Sequence, residues 1–401
     1  MIKIKLRKNL LYLLIYYAAA FVDYNVLGFW IFVLYRFNHI YICIFLFPLE
    51  NIIGGLIVYL YQKYSIKKID KTKYFGIKLI HNKKNIARDG KFKKILLIFF
   101  AAFFNYFNFI VSIFFNAKNE LWLMELRLSS VQIISSTLIS IFAFGFKIRK
   151  HHKFSLIIMS IFFCLLISID MIFTVHHNKK YLRELIFQYF ITLYYYIGYS
   201  FNNCIEKYLV DYNYMNPFII LMLEGVFELV LSLLSLIKIN IYDVFDKLKV
   251  KITGNLVLFI FLFTLYIILQ IIVNIYRIYC NVIYSPMARS LIDYLMNPFV
   301  NIFFFVVFRD FYKNIAYFII IEIICIVMSF FGCVFNEYII LYCCGLEYET
   351  QDEIADRANN QFLNELNDID ETSSNNENPE NGDNIEESKT IVSLGGYGLG
   401  I

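Results

Sequence analysis

The amino-acid sequence predicts an all-α polytopic membrane protein: about ten transmembrane helices followed by an acidic C-terminal tail. Three observations carry that expectation. About ten apolar segments, each near 20 residues long, fill residues 9–345 and then stop. Some 20 helical residues rising ~1.5 Å each are what ~30 Å of hydrocarbon requires. Of the 401 residues, 59% are apolar and 17% charged, where a soluble domain has ~25% charged. The charge is also divided, because residues 347–401 hold 14 Asp and Glu against Arg357 and Lys389. That tail carries −12, so residues 1–346 carry +17 within an overall +5.

A chain of this kind has the lipid bilayer as its first partner, which excludes most soluble enzyme classes. Phe (43) and Tyr (32) are abundant, as are Ile, Asn and Lys. AT-rich coding produces the same mixture, so single Asn and Tyr residues carry little functional weight.

The apolar segments fall near 9–35, 40–62, 95–116, 123–146, 154–175, 185–209, 217–238, 255–280, 285–308 and 314–343. The first has a basic lead, Lys3 to Lys8, and a small-residue run, Ala18-Ala19-Ala20, that a cleaved signal peptide shares. Apolar character resuming from Val26 to Leu34 favours a retained helix. In the second, Pro48 removes a backbone donor and predicts a kink, and Gly54-Gly55 allow close helix contact. The gap 63–94 then holds twelve Lys and Arg, and Lys147, Arg149, Lys150 and Lys153 follow the fourth segment. The opposite loops have only a scattering, such as Lys179, Lys180 and Arg183. By the positive-inside rule the N-terminus is cytoplasmic, and ten spans return the C-terminus to the same side.

The basic 63–94 segment suits anionic lipid headgroups. With neither a folded domain nor stacking aromatics, it does not read as a nucleic-acid site. The tail after residue 346 buries too little apolar surface to offset its ordering entropy and is expected to be disordered. A contact between that acidic tail and the basic 63–94 segment would lie on one side of the membrane.

The eight cysteines include no C-x-x-C pair and no His at ligand spacing, so they read as small packing residues. Cys343-Cys344, where the last segment leaves the membrane, are a candidate palmitoylation site. His151-His152 and His176-His177 are loop pairs without acidic or Cys companions in the sequence and read as surface residues. No phosphate loop, H-E-x-x-H or G-x-S-x-G occurs, so neither an enzyme nor a bound cofactor or metal is expected.

The residues that interrupt the apolar blocks are the candidates for function. A charge at mid-bilayer costs at least ~2.5–3.5 kcal/mol and normally faces a cavity or a partner. Arg289 and Asp293 are four apart on one helix face. Either they neutralise each other, with Arg289 snorkelling, or Arg289 receives an anionic group and Asp293 orients it. Glu224 has no basic neighbour at helical spacing, and Glu228 makes an i, i+4 acid pair with it. The two are proton-coupling candidates, or structural acids that close two helices. Glu50, Gln132 and Asn105 are candidate substrate-binding residues, with Asn108, Gln270 and Asn274 as further lining residues or interhelical contacts. Asp23 and Asp170 are expected near the hydrated non-cytoplasmic ends, and Glu206-Lys207 reads as an interface ion pair.

Four stretches resemble the drug/metabolite transporter superfamily (EamA-like), in particular its solute-carrier-35-like, nucleotide-sugar-transporter-related branch. The second segment has Phe47-Pro48-Leu49-Glu50-Asn51, and the fourth Ser129-Ser130-Val131-Gln132. The sixth and seventh have Glu206-Lys207-Tyr208, Asn216-Pro217 and Leu223-Glu224-Gly225-Val226-Phe227. The ninth opens Ser285-Pro286-Met287-Ala288-Arg289 and continues to Asp293. This chain departs from the family pattern at Asn105, where an acid is usual, at Ser135, where an Arg is usual, and at Glu228, where a Gly is usual. The resemblance implies a five-plus-five inverted repeat with a midplane site and rocking halves. It also implies an endomembrane location (Golgi, endoplasmic reticulum, or lysosome/vacuole-like).

The function expected is secondary transport or exchange of a small polar, anionic, nucleotide-sugar-like metabolite. The alternative from another class is a non-transporting membrane protein that binds partners through its acidic tail. Both leave the oligomeric state open, a homodimer included.

Overall fold

The computed structural model describes residues 2–4, 10–28, 30–31, 35, 37, 40–65, 89–117, 130–146, 148–177, 182–236, 255–307, 315–342, 345–346 and 350. Hydrocarbon offers no water to backbone N–H and C=O groups, so a spanning chain satisfies them within helices. The described residues follow that rule, being helical almost throughout. Helix α1 (Leu10–Ala20) continues into a π-helical turn (Phe21–Leu27), followed by α2 (Ile40–Ser65), α3 (Lys91–Ala117), α4 (Ser130–Phe144) and α5 (Lys150–His177). The second set is α6 (Leu182–Asp211), α7 (Pro217–Leu236), α8 (Leu256–Ile283), α9 (Pro286–Val307) and α10 (Ile315–Phe335).

Six of these helices, α2, α3, α5, α7, α8 and α10, are long and apolar enough to cross a bilayer. The chain is therefore an all-α, multi-pass membrane protein. Apolar stretches in α1 (Tyr12–Asp23) and α4 (Val131–Phe144) are shorter. Helices α6 and α9 are long, at 30 and 22 residues, but polar side chains such as Asn202, Asn203, Glu206 and Arg289 interrupt them.

Each described helix overlaps one of the expected segments, with differences at the ends. The first is an α-helix for only 11 residues before the π turn. The last ends at Phe335 rather than 343, and Ile339–Leu341 forms strand β2, paired antiparallel with β1 (Ile2–Ile4). The segment 66–88, Cys343-Cys344 and the tail after residue 350 lie outside the described residues.

Polarity is turned inside out relative to a soluble protein. Phe142 is 87% exposed and Val257 76%, whereas Glu206, Glu224 and Glu228 are fully buried. An apolar exterior around a polar interior is the arrangement that lipid as a solvent selects.

Helix α2 lies along α7, α3 against α6 and α7, and α8 against α1 and α2. Helix α4 packs on α6 and α9, and α5 on α10. The α2–α7 crossing is a backbone contact. A Cβ on Gly225 would lie 2.7 Å from Pro48 O, and one on Gly55 would lie 2.7 Å from Phe218 O. Small residues let helices approach this closely when no hydrophobic effect drives them together. Apolar clusters fill the remaining space, one around Ile133, Met159, Met287 and Met328 and another around Ile98, Leu209, Phe218 and Ile278.

Candidate functional site

The close α2–α7 crossing brings polar side chains from both helices to one buried place. Glu228 of α7 accepts hydrogen bonds on both carboxylate oxygens, from Asn51 Nδ2 of α2 and Asn105 Nδ2 of α3, each at 2.7 Å. Two amide donors give the acid the pair of bonds that a carboxylate wants when no water reaches it. Among the described residues the i, i+4 acids Glu228 and Glu224 turn to different partners.

Glu224, one turn earlier, lies beside Arg277 of α8, with Oε2 3.6 Å from Nη2. The same guanidinium holds Glu206 of α6 at 2.6 Å through Nη1, and Glu206 and Glu224 also lie against one another. Asn281, one turn beyond Arg277, donates to Glu206 and, at 3.1 Å, to Asn203 Oδ1. Three helices are thus joined by one cation between two anions, all buried.

Glu224 has no basic neighbour on its own helix and finds one on another. One expectation is corrected here. Glu206 does not pair with Lys207, because adjacent residues on a helix do not face each other. Lys207 instead reaches Asp211 at 3.3 Å and donates to Val282 O at 2.8 Å.

Arg289 of α9 lies beyond this centre, 3% exposed and within electrostatic reach of Arg277. Its Nη2 donates to Tyr16 Oη at 2.9 Å, and its guanidinium carbon stands 5.7 Å from the Tyr16 ring centre and 5.3 Å from that of Tyr199. Aromatic faces of this kind hold a guanidinium by cation–π attraction. The side chain of Asp293 lies outside the described residues, so the structure does not bring the Arg289–Asp293 pair to view.

Gln132 of α4 is buried beside Ser200, which donates to its backbone carbonyl at 3.1 Å, and Ser135 meets Ser200 through their hydroxyls. The Gln132 Nε2 atom itself is buried with no hydrogen-bond partner among the described residues. So are both amide atoms of Asn108, Asn202 Oδ1, Asn203 Nδ2 and Asn274 Nδ2. Native proteins leave few buried polar atoms unsatisfied, and each exception asks for an explanation.

Glu50 has other neighbours than these groups. It is buried near Asp23 of the π turn, Cys43 and Tyr266 of α8. Asp23 is fully buried, not hydrated at a helix end as its sequence position suggested, and neither carboxylate oxygen has a hydrogen-bond partner among the described residues.

Sequence reasoning missed Arg277. The signal was present, because a lone Arg inside the apolar run of the eighth segment costs as much as Arg289 does. His151 and His152 were misjudged as surface residues, since both are buried. What the belt can do is limited but definite. The Arg289 guanidinium can receive an anion, and unsatisfied amides can hydrogen-bond a polar solute. No family model matches the chain, and no curated protein matches it either.

Proposed function

We propose that this protein is a secondary transporter or exchanger of a small polar, anionic metabolite, working by alternating access. The observation that carries the reading is the buried belt of polar side chains inside an apolar shell, with Arg277 and Arg289 within electrostatic reach of each other. Charges are expensive at this depth and are retained where a substrate or ion path needs them.

Helix packing supports a five-plus-five repeat. Moving each helix five places along the chain turns the α3–α6 contact into α8–α1, and α3–α7 into α8–α2. The α2–α7, α4–α9 and α5–α10 contacts turn into themselves. Bonds of the belt cross between the two sets, as Asn51 and Asn105 to Glu228, Ser135 to Ser200, and Arg289 to Tyr16. A site shared by two repeats is where alternating access puts a substrate. The β1–β2 pairing holds the chain before α1 beside the chain after α10, as an even number of crossings requires.

The resemblance to the drug/metabolite transporter superfamily gains one physical argument. Two of the departures from its pattern, Asn105 and Glu228, are bonded to each other at 2.7 Å. An acid absent from α3 is thus supplied from α7, and the local charge is conserved. Nucleotide-sugar-like substrates and an endomembrane site, with both termini cytoplasmic, belong to the same reading.

Uptake into proteoliposomes holding the purified full chain, across a panel of anionic sugar phosphates and nucleotide-sugars, tests it. Uptake or counterflow of at least one member is expected, with Arg289→Lys at least about tenfold slower at normal expression. A folded wild-type protein that transports and binds no panel member, or an Arg289→Lys variant with wild-type uptake, would refute it.

A further inference from the structure

The chain has a second cluster with chemistry in it, where α5 begins and α10 ends. We infer that His151, His152 and Glu337 form a binding site for a divalent transition-metal cation of the zinc class. The three ligand atoms lie within 4.8 Å of one another, and all three residues are buried. Imidazole and carboxylate suit Zn²⁺, Co²⁺ and Ni²⁺, and two His with one Glu leave a coordination position open. Tetrahedral ligands ~2.1 Å from a metal stand ~3.4 Å apart, so the three side chains need to close by about an ångström.

A second observation is independent of that geometry. Glu337 has φ +58°, in the left-handed region. It sits where α10 terminates: Tyr338 N reaches back to Cys333 O at 3.0 Å, and Glu337 N bonds to Val334 O at 3.2 Å. This is the C-terminal capping turn whose left-handed position is usually glycine. A side chain there is held at a conformational cost of about 1 kcal/mol. At this position the strained residue is an acid, 3% exposed and turned onto His151, 186 residues away in sequence. Strain retained at a buried polar residue points to function.

The surroundings fit a metal but also offer a rival. His151 Nε2 lies 3.2 Å from Glu337 Oε1, and neither of its ring nitrogens makes an aligned hydrogen bond among the described residues. His152 Nδ1 accepts the Arg149 backbone N–H at 3.2 Å. Ligation through Nε2 moves the imidazole proton to Nδ1 and so replaces that weak contact. Phe146 and Phe335 flank the His152 ring and limit its rotation. The rival is Arg149, whose Nη1 lies 3.3 Å from the same Glu337 oxygen. With no cation bound, Arg149 neutralises the acid; with one bound, the guanidinium swings to solvent from its partly exposed position. The metal would tie the start of α5 to the end of α10, next to the β1–β2 ribbon.

The test uses the untagged full chain in detergent, stripped with a chelator and titrated with Co²⁺ and then Zn²⁺. One Co²⁺ per chain is expected, with the visible absorption of four-coordinate cobalt, displaced by Zn²⁺. Affinity should fall at least about tenfold in His152→Ala and in Glu337→Gln, rise or hold in Arg149→Gln, where the competing cation is gone, and stay within about twofold in a His176→Ala, His177→Ala double variant. Glu337→Gly guards against a folding failure, because glycine suits the left-handed turn. It should melt no lower than wild type in chelator, and it should lose the rise in melting temperature that Zn²⁺ gives the wild type. Absence of stoichiometric cobalt binding, or wild-type affinity in Glu337→Gly, would overturn the assignment and leave an Arg–Glu–His contact only.

Discussion

Arg277 is the residue whose removal tests the buried belt most directly. Its guanidinium stands 2.6 Å from Glu206 and 3.6 Å from Glu224. At an effective dielectric of about 20 those contacts are worth roughly 6 and 5 kcal/mol before desolvation is charged against them. Most of that sum is returned when three ions leave water, so the pair's net worth is small. Taking away the cation alone is another matter, because two buried acids then face each other. Breaking a buried ion pair in this way costs about 3–5 kcal/mol, and Arg277→Met should sit at the upper end. The assay is thermal unfolding of the full chain in detergent micelles, where the loss should appear as a fall on the order of ten degrees. Adding Glu206→Gln and Glu224→Gln to Arg277→Met removes the uncompensated charge and should recover most of that loss. A single variant as stable as wild type would refute the reasoning, as would a triple variant no better than the single one.

Further predictions address neighbouring parts of the same architecture. Gly225→Ala places a Cβ 2.7 Å from Pro48 O and 2.9 Å from Ile52 N, so α2 and α7 must separate; a loss of about 1–3 kcal/mol in the same unfolding assay is expected. Gly54→Ala is the control, because its nearest neighbour is 3.4 Å away and the loss should stay under about 0.5 kcal/mol. Asn105→Ala removes one of two amide donors to Glu228 and should cost about 1.5–3 kcal/mol, more than the same change at Asn108, whose amide atoms have no hydrogen-bond partner among the described residues. Outside the membrane, Asp89 is held down to about 2 by hydrogen bonds from Lys93 and Asn213. A carboxyl depressed below its unfolded value of ~3.9 stabilises fully above that pH and stops doing so as pH falls through ~2. Hydrogen exchange at the Asp89 amide, which bonds to Asn213 Oδ1 at 3.0 Å, should therefore be slow and constant from pH 8 to 5 after correction for intrinsic rates. It should lose protection between about pH 4 and 2 and be unprotected throughout in Asn213→Ala, and protection in that variant equal to wild type would count against the tie.

The helices were readable because each needs only its own apolar run, and local composition carries that signal without help from the rest of the chain. Their polar content was readable in part. The cost of burying Glu224, Glu228 or Arg289 follows from sequence, so each could be singled out before any partner was known. Who the partners are depends on which helices cross, and that information is spread over long separations. Asn51 meets Glu228 across 177 positions, and Arg289 meets Tyr16 across 273. Arg277 needed no tertiary knowledge to be noticed, only even application of the rule that flagged Arg289. The His151–Glu337 contact was of the other kind. Nothing near His151 announces an acid, and nothing near Glu337 announces the left-handed turn that aims it.

Those two kinds of legibility bear on how the belt can work. A helix that keeps a charged residue in lipid must find it a partner, and for Glu228 and Arg289 the partners lie on helices of the opposite half of the chain. Glu228 is held by donors from α2 and α3, and Arg289 by the hydroxyl of a tyrosine in α1. Arg277, Glu206 and Glu224 by contrast satisfy each other within α6, α7 and α8. Rocking one half against the other would therefore strain the bonds to Glu228 and Arg289 and leave the Arg277 centre whole. An anion that arrives at Arg289 and replaces the Tyr16 contact would lower the cost of that motion. If the chain transports as proposed, binding and opening would be coupled through groups already in place, which is the differential interaction that any ligand-driven shift between two conformations requires.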